Sequence, residues 1–251
     1  MSETDTEFTR TCVITGASRG IGRGIAEQLG SEGANVAVNY HWSEELAEEV
    51  VEQIEASGGS AIPVQADVTS VDDVLAMRDE VNETFGPVDV VVNNAGLTED
   101  QKFENMSHDE WRRVIEVTLD GTFNVSQAFF QDLKDSQQGR LINISSVVGK
   151  QGNYGQANYA AAKSGLFGFT RSLALELAPH GATANCVAPG YTKTDMIEGV
   201  SEKILESIRE DIPLKRFAEV EEIANVVCFL ASEKASYMSG EVIDVNGAMD
   251  L

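Results

Sequence analysis

Tyr159 and Lys163 stand four residues apart in a stretch of helical character, which places both side chains on one helix face. A free phenol titrates at about 10, and a nearby ammonium lowers that value by stabilising the phenolate. Such a phenol is suited to giving a proton to a carbonyl oxygen while hydride reaches the carbon. Ser146, at the end of an apolar run, is placed to hydrogen-bond and polarise the same oxygen. A Tyr-x-x-x-Lys pair is common in ordinary helices, so it takes its meaning from what surrounds it.

A hydride donor needs a site, and the chain offers one near its start. Thr15-Gly16-Ala17-Ser18-Arg19-Gly20-Ile21-Gly22 joins an apolar run to an amphipathic segment. Gly16 permits a sharp turn, Gly20 close approach of backbone to a pyrophosphate, and Gly22 tight packing of helix on strand. Backbone N–H groups at the helix start, Ser18 to Gly22, would face the phosphates. The spacing is GxxxGxG rather than GxGxxG, and an isolated turn of this kind is often only structural. Sites for NAD place an acid about 20 residues on, against the ribose 2′-hydroxyl. Here Val38-Asn39-Tyr40-His41-Trp42-Ser43 precedes the first acid, Glu44. With Tyr40 at that strand end and Arg19 in the turn to meet a 2′-phosphate, NADP(H) is the expected cofactor. The bland alternative makes Arg19 a solvated surface residue. Asp67-Val68 and Asn93-Asn94-Ala95-Gly96 follow the third and fourth strand-like runs, where Asp67 and Val68 can meet adenine and Asn94, Ala95 and Gly96 the ribose.

The elements that must position these groups alternate. Short β-branched runs fall at 11–15, 35–39, 61–65, 88–92, 140–145, 183–188 and 241–245. Their nearly continuous apolar character predicts strands buried on both faces of a parallel sheet. Helical patterns fall between, at 21–31, 44–57, 71–85 and 158–177; Ile21, Ile25 and Leu29 share one face of the first. The expectation is an α/β fold: one doubly wound Rossmann-type domain spanning 1–251. The stretch 192–216 interrupts the alternation. It holds Met196, Ile197, Ile204, Leu205 and Ile208 and reads as one or two small helices forming a lid, or as a permanently packed helix pair.

Composition narrows the partners. There are 41 acidic side chains against 18 basic ones, a formal charge of −23, so nucleic acid and anionic membranes would be repelled. The acids are spread along the chain, which suits a protein of a very salty cytoplasm, where salt screens self-repulsion; a merely acidic cytosolic enzyme is the other reading. Cys12, Cys186 and Cys228 make no CxxC pair and read as buried thiols, with neither disulfides nor a metal site. The polar, acidic N-terminus does not read as a signal peptide, and no run of 18 apolar residues occurs, so a cytoplasmic location is expected.

Taken together, TGASRGIG at 15–22, NNAG at 93–96, Ser146, Tyr159-Ala-Ala-Ala-Lys163 and Pro189-Gly190 resemble the short-chain dehydrogenase/reductase family over nearly the whole chain. The resemblance implies a seven-stranded parallel sheet, NAD(P)H binding and a homotetramer. It selects Ser146 over Ser145, because Ser146 lies thirteen residues before the tyrosine. It gives Lys163 a second role, on the nicotinamide ribose, and extends the cofactor site to Pro189, Gly190, Thr192 and Thr194. One departure is Thr118, in Thr118-Leu119-Asp120-Gly121-Thr122. The family has asparagine there, holding a water that joins the lysine to solvent; a threonine hydroxyl offers fewer groups for it.

The stretches 146–163 and 189–196 and the terminal Val245-Asn246-Gly247 resemble the β-ketoacyl thioester reductases. The substrate contacts implied are Ser146, Asn153, Tyr154, Gln156, Tyr159 and Tyr191. Positions that are basic in carrier-protein reductases read as Gln137 and Leu175 here, and an acidic enzyme docks an acidic carrier poorly. The expectation is therefore acetoacetyl-CoA, on the way to polyhydroxyalkanoate. The alternatives are a 3-oxoacyl-[acyl-carrier-protein] substrate, another alcohol or sugar, or a non-catalytic NADP(H) sensor, a class that typically lacks the Tyr or Lys.

Overall fold

The computed structural model describes residues 10–194 and 201–249. Its strands are β1 (Thr11–Ile14), β2 (Asn35–Tyr40), β3 (Ser60–Gln65), β4 (Val90–Asn93), β5 (Arg140–Ile144), β6 (Thr183–Pro189) and β7 (Val242–Val245). All pair in parallel, in the order β3-β2-β1-β4-β5-β6-β7. The chain reverses its direction of strand addition between β1 and β4, and in doubly wound sheets ligands bind in the crevice at that switch point, beyond the carboxyl ends of the strands.

The helices are α1 (Gly20–Ser31), α2 (Glu44–Ala56), α3 (Val71–Phe85), α4 (His108–Ile115), α5 (Gly121–Ala128), α6 (Phe130–Asp135), α7 (Val148–Gln151), α8 (Ala157–Leu177), α9 (Glu202–Asp211) and α10 (Val220–Ala231). One π-helical turn, Glu116–Asp120, joins α4 to α5. Side chains of the central strands alternate between two cores. Cys12, Ile14, Val36, Val38 and Tyr40 pack with α1, α2 and α10. Val13, Ala37 and Val91 pack on the other face with α3, α5 and α8. Both faces are covered, which is why these runs read as continuously apolar. The three cysteines are free and buried.

The expected strands hold to within a residue or two, and the trimmed ends have reasons. Thr15 leaves the ladder because its Oγ1 accepts from Asn94 N at 2.9 Å and Ala95 N at 3.0 Å. Ser145 leaves β5 with its hydroxyl on Lys163 O at 2.8 Å. The helices between 103 and 135 lay outside the delineated sequence pattern. Ser107 and Glu110 form a complete capping box at the start of α4, a signal the sequence did carry. In the suspected lid, Met196 and Ile197 lie outside the described residues. What is described is a bridge from Thr192 to Ala218 and one helix, α9, with no buried residue.

Candidate active site

The glycine turn follows β1. Gly16 and Gly20 take φ of 62° and 56°, left-handed values that favour glycine. A methyl group on Gly22 would stand 2.5 Å from both Gly16 O and Asn94 Nδ2, closer than atoms pack. Asn94 spends its amide on the turn, donating to Thr15 O at 2.9 Å and Gly16 O at 3.1 Å. No side chain caps α1, so its first N–H groups are left for a ligand. Arg19 reaches Ser43 Oγ at 2.5 Å, just ahead of α2, where a 2′-phosphate would be met. Across the cleft, Thr194 comes within 3.5 Å of where a Gly20 methyl would be, and its buried Oγ1 has no partner among the described residues. Thr192 is buried, its hydroxyl on Gly190 O at 3.2 Å, and Pro189 ends β6. Open glycine backbone, uncapped N–H groups and an unsatisfied hydroxyl fit a dinucleotide.

Two expected contacts sit differently. Tyr40 has its side chain in the core, where burial and the Glu44 charge raise its phenol above the ordinary value, so only its backbone is left for a cofactor. The strand alternation turns its neighbour toward the turn instead: Asn39 Oδ1 accepts from Gly16 N at 3.2 Å. Asp67 Oδ1 caps Thr69 N at 2.9 Å and Oδ2 stands 3.6 Å from His41 Nε2, with Val68 buried beside it.

Ser146, Tyr159 and Lys163 come together at the carboxyl end of β5. Ser146 Oγ accepts from Val148 N at 3.1 Å, and its hydroxyl is close enough to the Tyr159 phenol to favour the ionised form. Lys163 is 4% exposed, donates from Nζ to Ile144 O at 2.7 Å, and lies 5.6 Å from the Tyr159 ring centre. Burial pushes the Lys163 pKa down to about 8, with Cys186 opposing. Burial also raises the Tyr159 phenol above its ordinary value; the Ser146 hydrogen bond lowers it and the Asp100 charge raises it. The phenol therefore stands above its ordinary value and not below it, as the nearby lysine alone would have it: desolvation of the phenolate is the largest effect. The result is a phenol that keeps its proton, the form a donor needs.

Thr118 is fully buried in the π turn, and its Oγ1 has no partner among the described residues. A methyl on Gly96 would stand 3.4 Å from this oxygen and 3.4 Å from Lys163 Nζ, so the two groups flank one small volume that glycine keeps open. Beneath them a buried polar ladder fixes β4, β5 and α8. Asn93 donates to Asn143 at 2.8 Å and to Ser126 at 2.9 Å, and Asn143 donates to Thr170 at 2.8 Å. Asn158, fully buried, is a positioning residue the sequence reading missed. Its Oδ1 accepts from Tyr159 N at 2.8 Å and its Nδ2 donates to Glu99 O at 3.0 Å. Its place directly before Tyr159 was the available signal.

Of the expected substrate contacts, Asn153, Tyr154 and Gln156 lie together in the loop before α8, all three in one hydrogen-bonded run. Tyr191 lies elsewhere. Its ring edge meets Phe217 at 6.3 Å, and it lines a cavity of about 370 Å³ with Ile212, Leu214 and Asn246. Ser146, Tyr159 and Lys163 do not line that cavity; the chemistry sits in the open cleft.

Comparison with known proteins agrees with this geometry. A family model described as enoyl-(acyl carrier protein) reductase matches residues 16–249. The 3-oxoacyl-[acyl-carrier-protein] reductase of Staphylococcus aureus is 49% identical over 97% of this chain and 99% of its own. Those of Aquifex aeolicus and Escherichia coli are 46% and 43% identical, each over 96% of this chain and 97% of its own. A glycine turn, a Ser–Tyr–Lys cluster and this strand order thus have one common explanation: the chain belongs to the short-chain dehydrogenase/reductase family.

Proposed function

We propose that this enzyme uses NADPH to reduce a 3-oxoacyl thioester to the 3-hydroxyacyl thioester. The observation that carries the reading is the cluster at the end of β5: Lys163 buried, its Nζ 5.6 Å from the Tyr159 ring centre, with Ser146 held beside them by Val148 N. NADPH, when bound, supplies the hydride. Ser146 polarises the ketone oxygen, Tyr159 gives it the proton, and Lys163 holds positive charge beside the phenol and meets the nicotinamide ribose. The phosphates lie on Gly20 to Gly22, and Arg19 takes the 2′-phosphate. Thr118 and Lys163 hold water between them, in place of the family asparagine.

The similarity to 3-oxoacyl-[acyl-carrier-protein] reductases favours the carrier-protein thioester over acetoacetyl-CoA. Coenzyme A stays in view for one reason: the two positions that are basic in carrier-protein reductases hold Leu175, 78% exposed, and Gln137, also exposed. On that second reading the product serves polyhydroxyalkanoate synthesis. The enzyme works as a cytoplasmic homotetramer suited to molar salt, with 192–216 as a cover over the site.

The test follows NADPH absorbance with acetoacetyl thioesters of carrier protein and of coenzyme A, at low and molar KCl. Consumption with either supports the reading, and the larger kcat/KM names the carrier. Consumption with a 2-enoyl thioester alone overturns it. Molar KCl should raise the melting temperature by several degrees, about 1 kcal/mol or more of relieved repulsion; a flat response removes the salt adaptation.

A further inference from the structure

The amides that rim the mouth of the site are linked in one direction. Asp100, in the loop after β4, accepts from Gln156 Nε2 at 2.9 Å through Oδ1 and 3.0 Å through Oδ2. Gln156 Oε1 accepts from Asn153 Nδ2 at 2.9 Å. Asn153 Oδ1 accepts from Tyr154 N at 3.0 Å. The backbones of the two loops are tied alongside, Gln101 N donating to Gly155 O at 2.8 Å.

A side-chain amide offers oxygen on one side and N–H on the other, and only its partners decide which way it faces. A carboxylate accepts and never donates. Gln156 must therefore turn its nitrogen to Asp100. Its oxygen is then spent on Asn153, and the Asn153 oxygen on Tyr154. Both amide oxygens are thus turned inward, toward their partners in the run. Gln156 Nε2 makes both of its bonds to Asp100, while Asn153 Nδ2 makes one and keeps a second N–H. The rim is left with the Asn153 donor.

We infer that Asp100 is a positioning residue of this active site, acting through Gln156 to orient Asn153 so that its amide offers an N–H group to a second carbonyl of the substrate. The inference rests on the proposed 3-oxoacyl thioester reading, since that substrate carries a thioester carbonyl in a 1,3-relation to the ketone. Amides turned the other way would set lone pairs against lone pairs and lose that contact.

The experiment is a series at one position: Asp100→Glu, Asp100→Asn and Asp100→Ala, each alone and with Gln156→Ala. The readouts are kcat and KM for acetoacetyl-CoA, and NADPH Kd by fluorescence quenching. Loss of an oriented donor raises KM by about tenfold in Asp100→Ala, while Asp100→Glu stays within about twofold. Asp100→Asn falls between, because an amide admits both directions. NADPH Kd and kcat move little. In the Gln156→Ala background the three variants converge, since the residue through which Asp100 acts is gone. Asp100→Asn matching the parent would reduce the contact to a tether and overturn the inference. So would additive losses in the double variants, or a parallel loss of NADPH affinity. A parent inert toward every 3-oxoacyl thioester overturns the function reading instead, which separates the two failures.

Discussion

The two sides of the cleft hold their parts by opposite means. On the β1 side the work is done by backbone. Gly16 and Gly20 adopt left-handed φ, α1 carries no side-chain cap, and Gly22 fits only because it has no side chain. On the β5–α8 side the work is done by side chains. Ser146, Tyr159 and Lys163 are fixed by Val148 N, Asn158 and Ile144 O, above a buried ladder of Asn93, Asn143 and Thr170. The first region is damaged by adding an atom and the second by removing one. Binding and chemistry should therefore fail separately.

The sharpest break is Tyr159→Phe, which keeps the ring and deletes the proton. General acid catalysis is worth about 10² to 10⁴ in rate, so kcat should fall by about two orders of magnitude or more, read in steady-state assays, with NADPH Kd unchanged. Gly22→Ala is the converse. A β-carbon 2.5 Å from Gly16 O forces the turn apart, and overpacking of about 1–3 kcal/mol should weaken NADPH binding about tenfold or more by titration. Its kcat at saturation stays near the parent value. Arg19→Ala, within the backbone-built region but acting by charge, should lower kcat/KM for NADPH by about tenfold, the worth of a charge-assisted hydrogen bond, and leave NADH use nearly unchanged. Equal losses with both cofactors would place Arg19 outside the 2′-phosphate site.

The smallest effect is on pH and sharpens the side-chain half. Lys163 has its pKa depressed to about 8 by burial. It carries charge below that value and loses it above. The phenol is shifted the other way, upward, and keeps its proton throughout. The reduction kcat/KM of the free enzyme should be level below about pH 8 and fall above it. A fall that begins only well above the lysine's value would mean that the phenol sets the profile.

How far the sequence shows this differs between the two regions. The glycine turn is fully legible, because backbone geometry that only glycine tolerates leaves its mark as glycine. Tyr159 and Lys163 are legible because one helical turn fixes their relation. The direction of the Tyr159 shift is not, since it depends on how completely α8 is buried, which spacing does not encode. Tyr40 and Asn39 show a finer limit. The strand is legible but which of the two side chains faces the site is not, and one residue of parity exchanges core for site. The link from Asp100 to Gln156 spans 56 residues and joins two loops without periodicity, so only the assembled fold reveals it. The π turn at Thr118 carries no sequence pattern of its own.

The central claim is that Tyr159 supplies the proton while the opposite wall supplies the cofactor site. Its most direct test is single-turnover reduction of acetoacetyl-CoA by NADPH and by deuterated NADPH, in the parent, Tyr159→Phe and Gly22→Ala, across NADPH concentration. The account predicts that Tyr159→Phe saturates at the parent's NADPH concentration with a rate lower by about 10² or more, and that it retains a deuterium isotope effect. Gly22→Ala should need more NADPH to reach a near-parent rate. A Tyr159→Phe rate within tenfold of the parent, with the isotope effect confirming that chemistry is being observed, would contradict it.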